Sequence, residues 1–234
     1  KQLIHSQKME SIGTLAAGIA HEVGNPLASI SAIVQVIQRT SEDEFVIEKI
    51  GLIKTQITRI SKIIRDLVDF SRPSNYELRL TDINQNIAEA VNITRVGAKA
   101  TDVIFDFNKN EKIPLLPLVA DQIEQVFINI LLNAVDSYAE PDAKDKKEKR
   151  ISINTELKDD FVYITFSDNG SGIRDENLGK IFEPFFTTKK EGKGTGLGLW
   201  VSYGIVKSFQ GDITVKSKLG EGTTFVISLP TNPK

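Results

Sequence analysis

Two histidines occur in this 234-residue chain, and one of them, His21, stands in the run His21-Glu22-Val23-Gly24-Asn25-Pro26. Around it, apolar or small residues recur at Met9, Ile12, Ala16, Ile19, Val23, Ile30, Ile33 and Ile37, in steps of three and four broken once around Pro26. That is a heptad seam, with its apolar residues at positions a and d. With Ile19 at d and Val23 at a, His21 falls at f, farthest from the seam. An imidazole there is solvated and reachable. Its unperturbed pKa of about 6.5 leaves it mostly neutral at pH 7, with one nitrogen free to act as a nucleophile. His5, counted back from Met9 as a, falls at d and reads as a structural residue of the seam.

A second kind of chemistry is written in three glycine clusters farther along. The first is Asp168-Asn169-Gly170-Ser171-Gly172, just after a predicted strand. The second, Gly192-Lys193-Gly194-Thr195-Gly196-Leu197-Gly198-Leu199, opens a predicted helix, and the third is Gly220-Glu221-Gly222-Thr223-Thr224. A glycine loop leading into a helix offers free N–H groups and a positive dipole end to a phosphate. Neither a P-loop nor a dinucleotide-binding G-x-G-x-x-G after a first strand is present. Upstream, Asn129 and Asn133 lie one turn apart on a mostly apolar helix, so they share a face and need partners. A neutral amide oxygen there suits a hard cation such as Mg²⁺ that arrives with phosphate oxygens and keeps several waters.

These groups need elements to hold them. Residues 1 to about 39 read as one long helix. Thr40 to Glu44 is a polar break in which Thr40 or Ser41 is placed to cap the next helix. A second seam follows at Val46, Ile50, Ile53, Ile57, Ile60, Ile64 and Leu67, so the first 72 residues read as a helical hairpin. Two such helices bury too little alone, and a homodimer forming a four-helix bundle is the economical solution. Pro73 ends the second helix and residues 73–77 read as a linker. From 78 to 234 the pattern mixes helices with strands: a strand at 77–80, a helix capped by Asp82, a strand at 103–107, and a helix capped by Asp121 that carries the two asparagines. Paired strands follow at 151–157 and 161–167, then a short helix at 175–181, a helix at 196–209 and a closing hairpin at 212–229. Regular βαβ alternation is missing, which predicts an α/β two-layer sandwich with a mixed sheet.

Composition narrows the class. Net charge is −2 and 26% of residues are charged, which gives no case for a nucleic-acid or anionic-membrane partner. The chain holds no cysteine, which excludes a disulfide framework and, with two histidines, argues against zinc. No stretch approaches the roughly 20 apolar residues of a membrane helix. The first residue is not Met and the heptad is already running there, so we expect a fragment whose upstream part has been removed, with no membrane contact by the fragment itself.

Taken together these residues resemble the sensor histidine kinases of two-component systems, over essentially the whole chain. His21 to Leu27 resembles the H-box, Asn129 to Ala134 the N-box and Asp168 to Ile173 the G1 box. Phe182 to Thr188 resembles the F-box, Gly194 to Leu199 the G2 box and Gly220 to Phe225 the last glycine box. The resemblance implies a Bergerat-type ATP-binding sandwich after a dimerisation and histidine phosphotransfer hairpin, a cytoplasmic fragment whose missing upstream part is a sensor domain, in a parent protein that is either soluble or membrane-anchored. It implies that Asp168 binds the adenine amino group, that Asn133 ligates Mg²⁺ and that Asn129 supports the phosphates. Further nucleotide contacts are implied for Gly170, Gly172, Ile173, Lys189, Gly194, Thr195, Gly196, Leu197, Gly198 and Thr224. Phe182 to Thr195 would be a lid, with Lys189, Lys190 and Lys193 available to phosphate charge. One departure is Asp136, which stands where many members of the family carry a cation.

The implied activity is autophosphorylation of His21 by ATP and passage of the phosphoryl group to an aspartate of a response regulator's receiver domain. Glu22 would accept the proton-bearing imidazole nitrogen and fix its tautomer. Asn25, four residues from His21 on the same face, would orient a water for dephosphorylating the regulator, which makes the enzyme a kinase and a phosphatase. The alternatives are a phosphorelay or scaffold dimer with a degenerate ATP domain, and another Bergerat-fold ATPase, a class lacking an exposed H-box histidine.

Overall fold

The computed structural model describes residues 23–71, 77–96, 100, 102–139, 148–189 and 194–232. His5, His21, Glu22, Pro73, Lys190 and Lys193 lie outside them. The chain divides into two compact units, the first including the helical N-terminal part and Glu183–Gly198, the second Asn75–Phe182 with Leu199–Lys234.

In the first unit, helix α1 covers residues 23–40 and helix α2 covers Glu44–Ser71, joined by the three residues 41–43. The cap differs from the sequence expectation. Phe45 N–H donates to Asp43 Oδ1 at 2.9 Å, while Ser41 Oγ accepts from Asp43 N–H and Thr40 Oγ1 turns back to donate to the Val36 carbonyl. Asp43 therefore starts α2, and the two hydroxyls finish the preceding turn. The seam also splits. Of its members Ile50 is buried, whereas Ile30, Ile33, Ile53 and Ile60 stay exposed, Ile33 at 59%, and on α1 the buried residue is Val34, one place past the expected Ile33. One chain covers only part of its apolar surface.

In the second unit, Asp82 caps helix α3 (Ile83–Val96) as expected, its carboxylate accepting the N–H groups of Asn84 and Gln85. Strand β1 (Arg79–Thr81) pairs antiparallel with β3 (Leu116–Leu118). The short β3 has no sequence signal: it is three residues long and contains Pro117, a residue confined to edge pairings. Helix α4 (Ala120–Ser137) follows directly, with Val119 at its N-cap and no side-chain cap bond. Asp121 thus lies in the first turn, where its charge meets the helix dipole, and does not cap.

Strands β2 (Val103–Asn108), β4 (Lys149–Lys158), β5 (Phe161–Asp168), β6 (Asp212–Lys218) and β7 (Gly222–Pro230) form one sheet in the order β2-β4-β5-β7-β6. The β2–β4 pair is parallel and the others antiparallel, so the sheet is mixed as the sequence predicts. Alternation sets its faces. Ile151, Ile153, Val162, Ile164, Phe166, Phe225, Ile227 and Leu229 are buried, while their neighbours in the strands are more exposed. The buried side meets α4, whose Phe127 ring lies 5.6 Å from that of Phe166. Helices α5 (Asp175–Leu178) and α6 (Gly198–Ser208) complete the unit, α6 burying Trp200, Val201, Ile205 and Val206. Among the described residues no helix is long and apolar enough to cross a membrane.

Candidate nucleotide site

Helix α4 is apolar on the side that meets the sheet, and along one edge of that face it carries Asn129, Asn133 and Ser137 at successive spacings of four. They form one polar stripe. Asn129 Nδ2 donates to Ser202 Oγ at 3.4 Å, and Ser202 is fully buried on α6. Asn133 is half-buried. Ser137 Oγ donates to the Ala134 carbonyl at 2.7 Å and stands 3.5 Å from Asp168 Oδ1. Ser137 thus joins the stripe to the acid. The sequence signal for it was the repeated spacing of four.

Asp168 is the last residue of β5, paired with Ile151 on one side and Thr223 on the other. Its Oδ1 accepts the Gly170 N–H at 2.8 Å, and the backbone of Thr223, its partner across the β5–β7 ladder, also favours the charged form. Burial pushes its carboxyl up to about 6, against those donors and Ser137, which favour the charged form. The site holds a largely desolvated carboxylate whose next proton partner is worth much, since an unpaired acceptor in such surroundings is costly.

Glycines make the approach possible. A Cβ at Gly170 would overlap Ser137 Oγ, and one at Gly172 would overlap the Lys218 carbonyl. Gly222, with φ of 130°, brings its backbone against the Asp168 carbonyl, a position a side chain would block. Gly220 N–H donates to the Ser171 carbonyl at 2.6 Å, and Ile173 N–H donates to Ser217 Oγ at 2.8 Å. The first and third glycine clusters are therefore one locked structure, the loop after β5 fastened to the β6–β7 hairpin. Thr224 sits on β7 with its hydroxyl 2.8 Å from Ser167 Oγ.

The second cluster belongs to the other unit. There Gly196, with φ of 69°, packs against the backbone of Phe185, which itself has φ of 66° and is exposed. Lys189 N–H donates to Thr187 Oγ1 at 3.2 Å, and Gly194 lies against the same Thr187. Thr195 and Leu197 lead into α6, which Gly198 opens, with Leu197 buried. On α1, Asn25 is exposed, its carbonyl accepting from Ser29 Oγ at 3.3 Å.

Among the described residues no cluster of three or more His, Asp or Glu could hold a metal. The donors at hand are the neutral amides of α4. They fit a Mg²⁺ carried in on phosphate oxygens, which needs one or two protein ligands and keeps its waters.

Two features of the site escaped sequence reasoning. Asn169 and Tyr138 tie the loop after Asp168 to the start of β4, and neither residue type signals that by itself.

Comparison with known proteins agrees with this geometry. Residues 118–233 match the family described as histidine kinase-, DNA gyrase B- and HSP90-like ATPase. Residues 11–75 match the His Kinase A (phospho-acceptor) domain, and the two matches together cover well over half of the chain. The signal transduction histidine-protein kinase AtoS of Escherichia coli K12 is 36% identical over 237 residues, covering 100% of this chain and 37% of AtoS. The chain spans between about a quarter and a half of the length of the curated relatives it matches. Full-length ShkA in complex with AMPPNP superposes with a TM-score of 0.67 at 18% identity, covering 94% of this chain and 47% of that one. The histidine kinase ThkA in complex with the response regulator protein TrrA gives a TM-score of 0.65 at 23% identity, covering 98% of this chain and 64% of that one. These two likenesses concern the fold.

Proposed function

The chain belongs to the sensor histidine kinases, and from that premise we propose that it is their ATP-dependent core, which phosphorylates its own His21 and passes the phosphoryl group to an aspartate of a response regulator. The observation that carries the reading is the cradle around Asp168: a largely desolvated carboxylate, held by the Gly170 N–H and walled by glycines, beside a helix bearing Asn129, Asn133 and Ser137. A carboxylate so placed suits the amino group of adenine. The amide stripe suits the phosphates with their Mg²⁺, whose part is to neutralise phosphate charge.

Phosphoryl transfer asks the protein for position and charge compensation. A neutral nitrogen of His21 attacks the γ-phosphorus. The N–P bond forms as the bond to the bridging oxygen breaks, and the electron pair leaves with ADP. Glu22 accepts the N–H on the other ring nitrogen and offsets the positive charge gained by the ring. Asn133 holds the metal, Asn129 supports the phosphates and Lys189 meets their charge. Gly170, Gly172 and Ile173 border the adenine with Asp168, and Thr224 backs it from β7. Gly194, Thr195, Gly196, Leu197 and Gly198 present N–H groups to the phosphates at the start of α6.

The working unit in this reading is a homodimer through the hairpin. The exposed Ile30, Ile33, Ile53 and Ile60 support it, as does the match to the phospho-acceptor domain. A response regulator as partner is supported by the family and by ThkA, which was solved with one, and the aspartate acceptor is the family's. Asn25, exposed on α1, is assigned to the reverse reaction, orienting water against the regulator's phospho-aspartate. The division by residue is a phosphotransfer hairpin over 1–72, a linker over 73–77 and an ATP-binding domain over 78–234.

Incubation with Mg²⁺ and γ-labelled ATP tests the reading. We expect acid-labile, base-stable label that moves to a receiver domain on mixing. Absence of label contradicts the kinase. For the reverse reaction, Asn25→Ala should keep autophosphorylation and slow dephosphorylation of the regulator at least about tenfold. Equal loss of both rates would sink that assignment.

A further inference from the structure

The orientation of Asp168 depends on the single residue that follows it. At Asn169 the chain leaves the β4–β5 ladder, and the side chain takes over the pairing. Asn169 N–H donates to the Arg150 carbonyl at 3.4 Å. Its Oδ1 accepts the Arg150 N–H at 2.9 Å, in the place where the next main-chain carbonyl would pair. Its Nδ2 donates to the Glu148 carbonyl at 2.8 Å. Tyr138, buried at the C-cap of α4, then closes the knot. Its hydroxyl oxygen lies 2.7 Å from the Arg150 carbonyl and 2.8 Å from Asn169 Oδ1, so the two acceptors share its one proton. The side-chain oxygen of Asn169 accepts the Arg150 N–H and a share of the Tyr138 hydroxyl, and α4 is joined through Tyr138 to the turn that presents Asp168.

That turn in turn aims the carboxylate, because Asp168 Oδ1 accepts from Gly170 N–H, one residue past the knot. We infer that Tyr138 and Asn169 are positioning residues that set the purine selectivity of the nucleotide site by holding the Asp168 carboxylate at a fixed place relative to the asparagines of α4. The inference rests on the reading of Asp168 as the adenine contact. Adenine carries an amino group at C6, which donates to a carboxylate. Guanine carries a carbonyl there, which a carboxylate repels. Such a pairing rejects the wrong base only when the buried acceptor cannot swing aside. Once the knot is loosened, ATP loses part of its bond and GTP escapes part of its penalty, so the two affinities converge.

The experiment measures dissociation constants for AMPPNP and GMPPNP with the full chain and with Tyr138→Phe, Asn169→Ala and Asp168→Ala, thermal unfolding being recorded alongside. Tyr138→Phe keeps the ring and removes one hydroxyl, so it remains informative if Asn169→Ala fails to fold. We expect the adenine-to-guanine affinity ratio to fall about three- to tenfold in Tyr138→Phe and by more in Asn169→Ala, in line with one and several hydrogen bonds lost. A merely structural role lowers the unfolding temperature and leaves the ratio of the folded protein untouched. A wild-type ratio in both variants, with the ratio lost in Asp168→Ala, overturns the inference alone. A wild-type ratio in Asp168→Ala overturns the adenine reading and the inference together.

Discussion

The same residue, glycine, does opposite things in the two parts of this molecule. Gly51, inside α2, has nothing within 4 Å of the place a Cβ would take. Gly170, in the loop after β5, has Ser137 and the Asp168 carboxylate there. The hairpin is an open surface organised by period: apolar residues fall on stripes, part of them still exposed in one chain, and Asn25 stands exposed on α1. The sheet unit is organised by contact, the polar atoms around Asp168 and Asn169 paired and the backbone there packed until only hydrogen fits. Chemistry in the first region depends on which face a residue occupies. Chemistry in the second depends on tenths of an ångström.

Alanine substitutions at the two glycines break or sharpen this contrast most. Gly170→Ala should weaken adenine-nucleotide binding by about a hundredfold or more, because the methyl group collides with Ser137 and presses on Asp168. Calorimetric titration checks it, and retained affinity would mean that the cradle is looser than its geometry. Second in size is the hairpin surface. Ile53→Asp with Ile60→Asp places charge where a second copy should cover apolar side chains, and sedimentation should find a monomer with its ATP-binding unit intact. An unchanged dimer would place the partner elsewhere.

A smaller effect follows from the carboxyl of Asp168, raised by burial to about 6. Nucleotide binding uses the ionised form, so affinity should fall about tenfold from pH 7 to pH 5 as the group takes up its proton. The sign for stability is the reverse. Between its ordinary value near 4 and its folded value, the folded chain holds a proton that the unfolded chain has released, so this group's contribution to stability declines as pH rises through that window. Asp168→Asn should flatten the binding profile, and an equally steep profile in that variant would assign the titration to another group. Smallest is Gly51→Ala, which should stabilise the hairpin by up to about 1 kcal/mol through helix propensity alone, read as a rise in its unfolding temperature.

The contrast also explains what could be read from the chain. Heptad spacing announced the hairpin, and strict alternation announced β4, β5 and β7, because each pattern repeats often enough to identify a face. The polar stripe of α4 was half legible: Asn129 and Asn133 stood out among apolar neighbours, and Ser137 completes the same spacing. Caps were harder. Asp43 caps in place of Thr40 and Ser41 because α1 runs through Thr40 and α2 starts only at Glu44, and β3 runs so directly into α4 that Asp121 has no cap to form. The parallel pairing of β2 with β4 left no trace in the sequence, since a crossover is a property of the whole path. The Tyr138–Asn169 knot is also of that kind. It joins residues 31 apart through two hydroxyl contacts and an amide, none of which repeats.

The central claim is that the sheet unit supplies the phosphoryl group and the hairpin receives it at one imidazole. Incubating the chain with Mg²⁺ and ATP and mapping the modification by mass spectrometry under neutral conditions tests it most directly. The account predicts one phosphoryl group per reacted chain, on His21, and none in His21→Ala. Phosphoryl on any other residue, or on none while ATP is bound, would contradict it.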